Sequence, residues 1–313
     1  MNILWIKDGK IGHEKQVKIL LDELKKSLEI TISEFIIQPF SVKNFILSFF
    51  NRHLENKDNF DMVIGAGHST YMKVLSFKKD SQSKPLLVSV LVPSISKNKF
   101  DLICAPSHDS YKIKNTSNVI FYEGSLAKVS HVDPSIDIGM VAIGGINKHY
   151  VFDEAHISKQ IEYMLSIHPS KTWYIFNSRR TSQLMNDKLQ KIADKNKKTV
   201  IVSYDNKELN FSFDDTLSSA SVKLISQDSV NMVYEALSSK GETYIFDMDS
   251  KNKNNKVVKQ VNKLVKNKQI GFIEYSDLTP GLKKMNLQTQ NKFNEVHAEV
   301  EKVAYKVLQK LQQ

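Results

Sequence analysis

The sequence predicts an α/β protein of two doubly wound, parallel-sheet domains facing a cleft. Three observations predict it. Short apolar runs alternate with longer stretches whose apolar residues recur at helical spacing. Polar, glycine-bearing clusters follow the ends of the apolar runs, where open α/β sheets bind ligands. The chain, at 313 residues, also has the length of two ordinary domains.

In the first half, Asn2–Ile6 reads as a strand and Lys15–Leu28 as a helix, with Val17, Leu20, Leu21, Leu24 and Leu28 on one stripe. Ile30–Ile37, Asp61–Ile64, Pro85–Leu91, Leu102–Ala105 and Val119–Phe121 read as further strands. A helix is expected after Thr70. Repeated βα units of this kind imply a parallel sheet. In the second half, strands are expected at Ile138–Ile143, Thr172–Phe176, Thr199–Ser203, Val222–Ile225 and Thr243–Phe246. Helices are expected at Glu154–Leu165, Ser182–Lys195 and Lys251–Lys268, and from about Asn291 to the end. The last carries Phe293, Val296, Val300, Val303, Val307 and Leu311 as its apolar stripe. The expected division is residues 1–134, residues 135–286, and a terminal helix within 287–313 that packs back on the first domain.

The stretch that organises the second domain is Ile225–Leu237. An apolar strand end leads through Ser226-Gln227-Asp228-Ser229 into a helix with Val230, Val233, Tyr234 and Leu237 on one face. The short polar side chains offer capping oxygens for the first helical turn. A helix opening just past a strand aims its N–H groups and positive dipole end at any ligand there, and phosphate suits that end. Asn231 and Glu235 lie one turn apart on another face, and Glu235 stands where a carboxylate would meet ribose hydroxyls. The plainer reading is an ordinary strand–turn–helix unit whose Ser or Asp only caps.

Composition narrows the class. The chain is 41% hydrophobic with few Pro and Gly, hence globular. A lone cysteine, Cys104, excludes an internal disulfide framework and fits a reducing compartment. No apolar run approaches the roughly 20 residues of a membrane span, and the first residues are charged too soon for a signal peptide. A cytoplasmic protein is expected. The net charge of +10 favours acidic partners, although its lysines are scattered and no aromatic-interleaved basic stripe points to nucleic acid. Phe40–His53, with Phe45, Ile46, Leu47, Phe49, Phe50, Lys43 and Arg52, reads either as a segment lying on anionic membrane or as a core-facing helix.

The candidate chemistry gathers at strand ends. In the first domain these are Asp8-Gly9-Lys10-Ile11-Gly12-His13-Glu14, Gly65–Thr70 (with Gly67) and Ser107-His108-Asp109. The first loop lacks the glycine spacing of a dinucleotide or NTP loop, so its glycines serve either a site or a tight turn. His13, His68 and His108 are candidate general bases, since imidazole takes a proton near neutral pH. Asp109 would orient His108, bind hydroxyls or cap a turn. In the second domain the clusters are Gly144-Gly145, Ser178-Arg179-Arg180-Thr181 and Gln227–Glu235. Arginine occurs only at 52, 179 and 180, so an adjacent pair at a strand end is distinctive. Its forked donors suit a diphosphate, against the plain reading of a surface pair. No metal-ligand spacing emerges and no cofactor is implied.

As an ordered set, these motifs resemble the mitochondrial-fission Elm family of bacteria and plants. That family is itself similar to nucleotide-sugar glycosyltransferases of the two-Rossmann, GT-B type. The matching residues are Asp8-Gly9-Lys10 with Gly12-His13-Glu14 and Gln16; Gly65-Ala66-Gly67 with Thr70; Phe100-Asp101 with Pro106 and His108-Asp109; Gly144-Gly145 with Lys148-His149-Tyr150; Ser178–Thr181; and Asp228-Ser229-Val230 with Met232, Glu235 and Ala236. Ile11 stands where proline is expected. The resemblance implies a nucleotide-sugar co-substrate on the second domain, with Ser229 and its helix end at the diphosphate and Glu235 at the ribose. Arg179 and Arg180 would neutralise the leaving group. The first domain would hold a glycan or lipid acceptor, with His13, His108 or Asp109 as base. A peripheral position on the inner membrane face is expected separately, from the net positive charge and the Phe40–His53 segment. A sugar-nucleotide epimerase or hydrolase, or a non-catalytic membrane scaffold, are the alternatives.

Overall fold

The computed structural model describes residues 1–37, 59–80, 84–205, 212–279, 282–289 and 295–312. The Phe40–His53 segment therefore lies outside the described residues. The chain divides into two compact units, Met1–Ala127 with Ala298–Gln313, and Lys128–His297.

The first unit holds six parallel strands: β1 (Asn2–Lys7), β2 (Thr31–Ile36), β3 (Met62–Ala66), β4 (Leu86–Val90), β5 (Leu102–Pro106) and β6 (Val119–Tyr122). Their order is β2-β1-β3-β4-β5-β6. Met62–Ala66 and Leu102–Pro106 are buried at every position, as expected of parallel strands covered on both faces. The covering helices are α1 (Ile11–Leu24) and α2 (Tyr71–Asp80). α1 buries Val17, Leu20, Leu21 and Leu24. It begins four residues earlier than the periodicity predicts and ends before Leu28, so His13 and Glu14 lie within its first turn. The terminal helix, Glu299–Leu311, buries Val300, Val303, Ala304 and Val307 in this unit. Its Glu299 carboxylate accepts the backbone N–H of Glu123 at 2.8 Å.

The second unit has seven strands in the order β13-β12-β11-β10-β7-β8-β9. These are β7 (Ser135–Ala142), β8 (Thr172–Phe176), β9 (Thr199–Val202), β10 (Ala220–Ile225), β11 (Glu242–Ile245), β12 (Gly271–Thr279) and β13 (Leu282–Gln288). All adjacent pairs are parallel except β12 with β13. Its helices are α3 (Glu154–Ile167), α4 (Gln183–Lys195), α5 (Phe213–Ser219), α6 (Val230–Leu237) and α7 (Lys256–Lys266); the terminal helix is α8. Trp173 is fully buried against Gly139 of the neighbouring strand, where any side chain would overlap its ring.

Three differences from the sequence reading stand out. The β12–β13 hairpin extends the sheet where no strand is predicted. α5 is a further element, started by Ser212, whose hydroxyl accepts the Asp215 N–H. The last helix begins at Glu299 rather than near 291. Just before it, the His297 N–H bonds Leu237 O at 2.9 Å and the Ser238 hydroxyl bonds His297 O, holding that segment out of a helix. Among the described residues, no helix is long and apolar enough to cross a membrane.

Candidate functional site

In each unit the strand order reverses once, and ligand crevices open at such switch points. In the first sheet β1 lies between β2 and β3, and in the second β7 lies between β8 and β10. The loops leaving β1 and β3 therefore meet, as do those leaving β7 and β10. The residues singled out in the sequence fall largely on these four loops.

In the first unit, Asp8 is the hub. Its side chain is 1% exposed, and Oδ2 lies 2.9 Å from His13 Nδ1. Oδ1 accepts the Lys10 N–H at 3.1 Å, and the Ser69 hydroxyl reaches Oδ2 at 3.3 Å. The Glu14 carboxylate accepts the Gly9 N–H at 2.8 Å. Gly67, with φ +93°, passes so close that a Cβ there would overlap His13 and Asp8. Thr70 ties the same turn, donating its hydroxyl to Gly67 O at 2.9 Å and crowding Gly65. A buried carboxylate on Nδ1 fixes the imidazole's orientation and leaves Nε2 as the nitrogen not held by Asp8. That is the arrangement of an oriented general base.

The other histidines are placed differently. His68 is exposed and contacts the Ser94 hydroxyl at 2.5 Å. His108 and Asp109 lie on the short 3-10 helix Ser107–Lys112 after β5, with His108 Nε2 4.0 Å from Asp109 Oδ2. Asp109 instead holds Lys112 at 2.8 Å, which raises the Lys112 pKa.

In the second unit the hub is Asp228, whose side chain has no exposure. Its carboxylate accepts Arg180 Nη1 at 2.7 Å, the Ser226 hydroxyl at 2.6 Å and the Gly145 N–H at 3.3 Å. Ser226 also accepts the Gly144 N–H at 2.7 Å. From the other side, Ser178 and Thr181 both donate hydroxyls to Gly144 O at 2.6 Å. Asn147 closes the loop, donating to Gly145 O and accepting the His149 and Tyr150 N–H groups. Glycine is required twice: a Cβ on Gly144 would overlap the Asp228 carboxylate, and one on Gly145 the Arg180 carbonyl.

The capping expectation is corrected here. Ser226 and Asp228 turn to the β7 loop, and Ser229, the N-cap residue of α6, makes no side-chain cap bond. The first-turn N–H groups, including those of Asn231 and Met232, are thus left without a side-chain cap. Arg179 and Asn231 are exposed; Met232 and Glu235 are half-buried. Arg180 is joined to Asp228 rather than standing alone.

Sequence reasoning missed two parts. Asn147 carries a weak signal, a turn former two residues past a Gly-Gly. Lys223 carries none, since it sits inside an apolar strand. It is fully buried, and its ammonium donates to Ala236 O, Ser239 O, Ser239 Oγ and Lys240 O at 2.8–3.0 Å, clamping the C-terminal end of α6. Burial pushes this ammonium down to about 7. Beside the Asp228 hub, burial and the neighbouring Lys148 lower the His149 pKa.

Comparison with known proteins agrees with this fold. The model of the family described as mitochondrial fission ELM1 matches residues 11–311. An uncharacterized protein of Rickettsia prowazekii, RP120, is 25% identical over 301 residues, covering 79% of this chain and 83% of its own. Among solved structures, the UDP-GlcNAc 2-epimerase of Methanocaldococcus jannaschii superposes with a TM-score of 0.52 at 12% identity, over 99% of this chain and 100% of its own. A Listeria monocytogenes protein described as a UDP-N-acetylglucosamine 2-epimerase gives 0.52 at 8% identity, over 100% and 88%. At such identities the likeness is one of fold: two Rossmann-like, parallel-sheet domains of the GT-B type.

Proposed function

The chain belongs to the mitochondrial fission ELM1 family, and from that premise we propose that it is a nucleotide-sugar enzyme. The observation that carries the reading is α6, which opens at the switch point of its sheet with no side-chain cap. Free N–H groups and the positive dipole end there suit the diphosphate of the donor. Gly144 and Gly145 allow close backbone approach, and Arg179 and Arg180 add charge. Glu235, about a turn and a half into α6, takes the ribose hydroxyls.

The reaction is transfer of the sugar to a hydroxyl of a glycan or lipid acceptor. His13 Nε2 removes the hydroxyl proton as the acceptor oxygen bonds to the anomeric carbon. The bond from that carbon to the diphosphate oxygen breaks, and the electron pair leaves with the nucleotide. Asp8 holds the imidazole in place and stabilises its charged form. Helix N–H groups and arginine meet the charge that develops on the leaving group. A second reading is epimerisation of the nucleotide sugar. It is supported by the fold shared with the Methanocaldococcus jannaschii UDP-GlcNAc 2-epimerase, and it would use the same donor site.

The test is thermal stabilisation by a panel of nucleotides and nucleotide sugars, with product analysis of each mixture. A ligand at 100 times its Kd should add about 2.7 kcal/mol, a shift of roughly 5–10 °C for a domain of this size. Glu235→Ala should abolish the shift, whereas His13→Ala should keep it and lose turnover. No shift and no product with any nucleotide sugar refutes the reading in favour of a non-catalytic scaffold.

A further inference from the structure

Lys223 is an ammonium group set in an apolar strand. It lies in β10 between Val222 and Leu224, and its side chain is fully buried. Its register partners are Met140 on β7 and Thr243 on β11. The ammonium donates to Ala236 O at 2.8 Å, Ser239 O at 3.0 Å, Ser239 Oγ at 2.8 Å and Lys240 O at 2.8 Å. All four acceptors lie in the last turn of α6 or just beyond it, and none is a carboxylate. Carbonyls at the C-terminal end of a helix lack intrahelical donors and carry the negative end of its dipole. A cation there answers both. Packing alone does not call for it, since methionine fills a similar volume without burying a charge.

Burial is the sole cause that lowers the Lys223 pKa, to about 7, and no neighbouring charge takes part. The ionisable groups on the surrounding elements are engaged elsewhere. Lys240 holds Asp133 at 2.6 Å, and the Glu242 carboxylate accepts the Tyr244 hydroxyl at 2.7 Å. On α6 the Tyr234 ring packs on His297, and Glu235, half-buried, is the one acid of that helix. The acids of α5, Asp214 and Asp215, lie in its first turn, and the lysines of α7 are exposed. With eight residues in α6, the ammonium stands about 12 Å from the uncapped end. At an effective dielectric of about 20, one unit charge at that distance is worth about tenfold in the affinity of an anion.

We propose that Lys223 is a positioning residue of the donor site, holding α6 from its C-terminal end and lending charge to the grip of its N-terminal end on a diphosphate. This deepens the proposed function and rests on the diphosphate reading of α6. Loss of the proton removes the charge, and the amine that remains has two N–H groups and a lone pair facing four acceptors. Diphosphate affinity therefore falls as pH rises through the Lys223 transition, and diphosphate binding takes up protons in that range.

The experiment is isothermal titration of the full chain with inorganic pyrophosphate, with ADP, CDP, GDP and UDP, and with the matching nucleosides, between about pH 6 and about pH 9. Variants are Lys223→Met and, as control, Lys171→Met. Lys171 is also buried, but it donates to Ser221 Oγ at 2.8 Å near the start of β10 rather than to α6. At about pH 6, Lys223→Met should weaken diphosphate binding about tenfold and nucleoside binding less than about twofold. The gap should close by about pH 9, and Lys171→Met should match wild type throughout. Equal diphosphate affinity in wild type and Lys223→Met overturns the proposal and leaves the donor site standing. So does equal weakening of nucleoside and diphosphate at every pH, the mark of a merely loosened helix. Should Lys223→Met not fold, wild type decides alone: titrations at about pH 7.5 in buffers of different ionisation enthalpy should show proton uptake, and none overturns the proposal. Silence of wild type toward pyrophosphate and all four nucleoside diphosphates also overturns it; the donor-site reading then falls only if the nucleotide sugars are silent as well.

Discussion

Replacing Asp228 by Asn tests the architecture of the donor-side hub directly. The carboxylate is enclosed and accepts three donors, from Arg180, Ser226 and Gly145. Asparagine keeps the shape and offers one acceptor oxygen, so its amide must face a donor on one side. Losing a hydrogen bond to a charged group costs about 1.5–3 kcal/mol. Arg180 is 44% exposed, and water compensates much of its loss, which brings this share toward about 1–1.5 kcal/mol. An enclosed donor left facing another donor adds about 1–2 kcal/mol. The expected destabilisation is roughly 3 kcal/mol, or about 6–12 °C in Tm for a domain of this size. With Trp5 replaced by Phe, the remaining tryptophan, Trp173, reports urea unfolding of the second unit alone. Arg180→Gln and the double variant complete a cycle whose coupling energy should be about 1 kcal/mol or more. A loss below about 1 kcal/mol for Asp228→Asn, or strict additivity, refutes the hub.

Two further outcomes follow from close approaches and burial. Gly67→Ala must adopt a positive φ and push against the Asp8–His13 pair, so it should destabilise the first unit by about 2–4 kcal/mol in denaturant melts; a cost near zero would show that the turn does not depend on glycine. Lys223 has an ordinary value of 10.5 that burial lowers to about 7 on folding. Its contribution is therefore fully present above 10.5 and lost as pH falls toward 7, so the stability of wild type relative to Lys223→Met should rise between those limits. Parallel pH profiles of the two proteins would contradict the assignment.

Much of the architecture is local and so legible. Met62–Ala66 and Leu102–Pro106 are unbroken apolar runs because parallel strands are covered on both faces, and α1 shows its stripe at Val17, Leu20, Leu21 and Leu24. Failures came where partners are distant. The helical stripe through Val296 is genuine as a pattern, yet Leu237 and Ser238 hold the neighbouring backbone and delay the helix to Glu299. The β12–β13 hairpin has an alternating sequence that gains meaning only beside β11.

The same division runs through the candidate site. By itself, the sequence determined which residues lie at strand ends, because strand and helix periods are written in successive residues: Asp8, His13, Gly67, Gly144, Gly145, Arg180 and Asp228 are all placed that way. Only the tertiary structure decided how they pair. The reversal of strand order beside β1 joins Asp8 and His13 to Gly67, and the one beside β7 turns Asp228 away from α6 toward Arg180 and Gly145. Those contacts depend on which strands become neighbours, and neighbours in a sheet are chosen by burial across the whole unit rather than by any one stretch of chain.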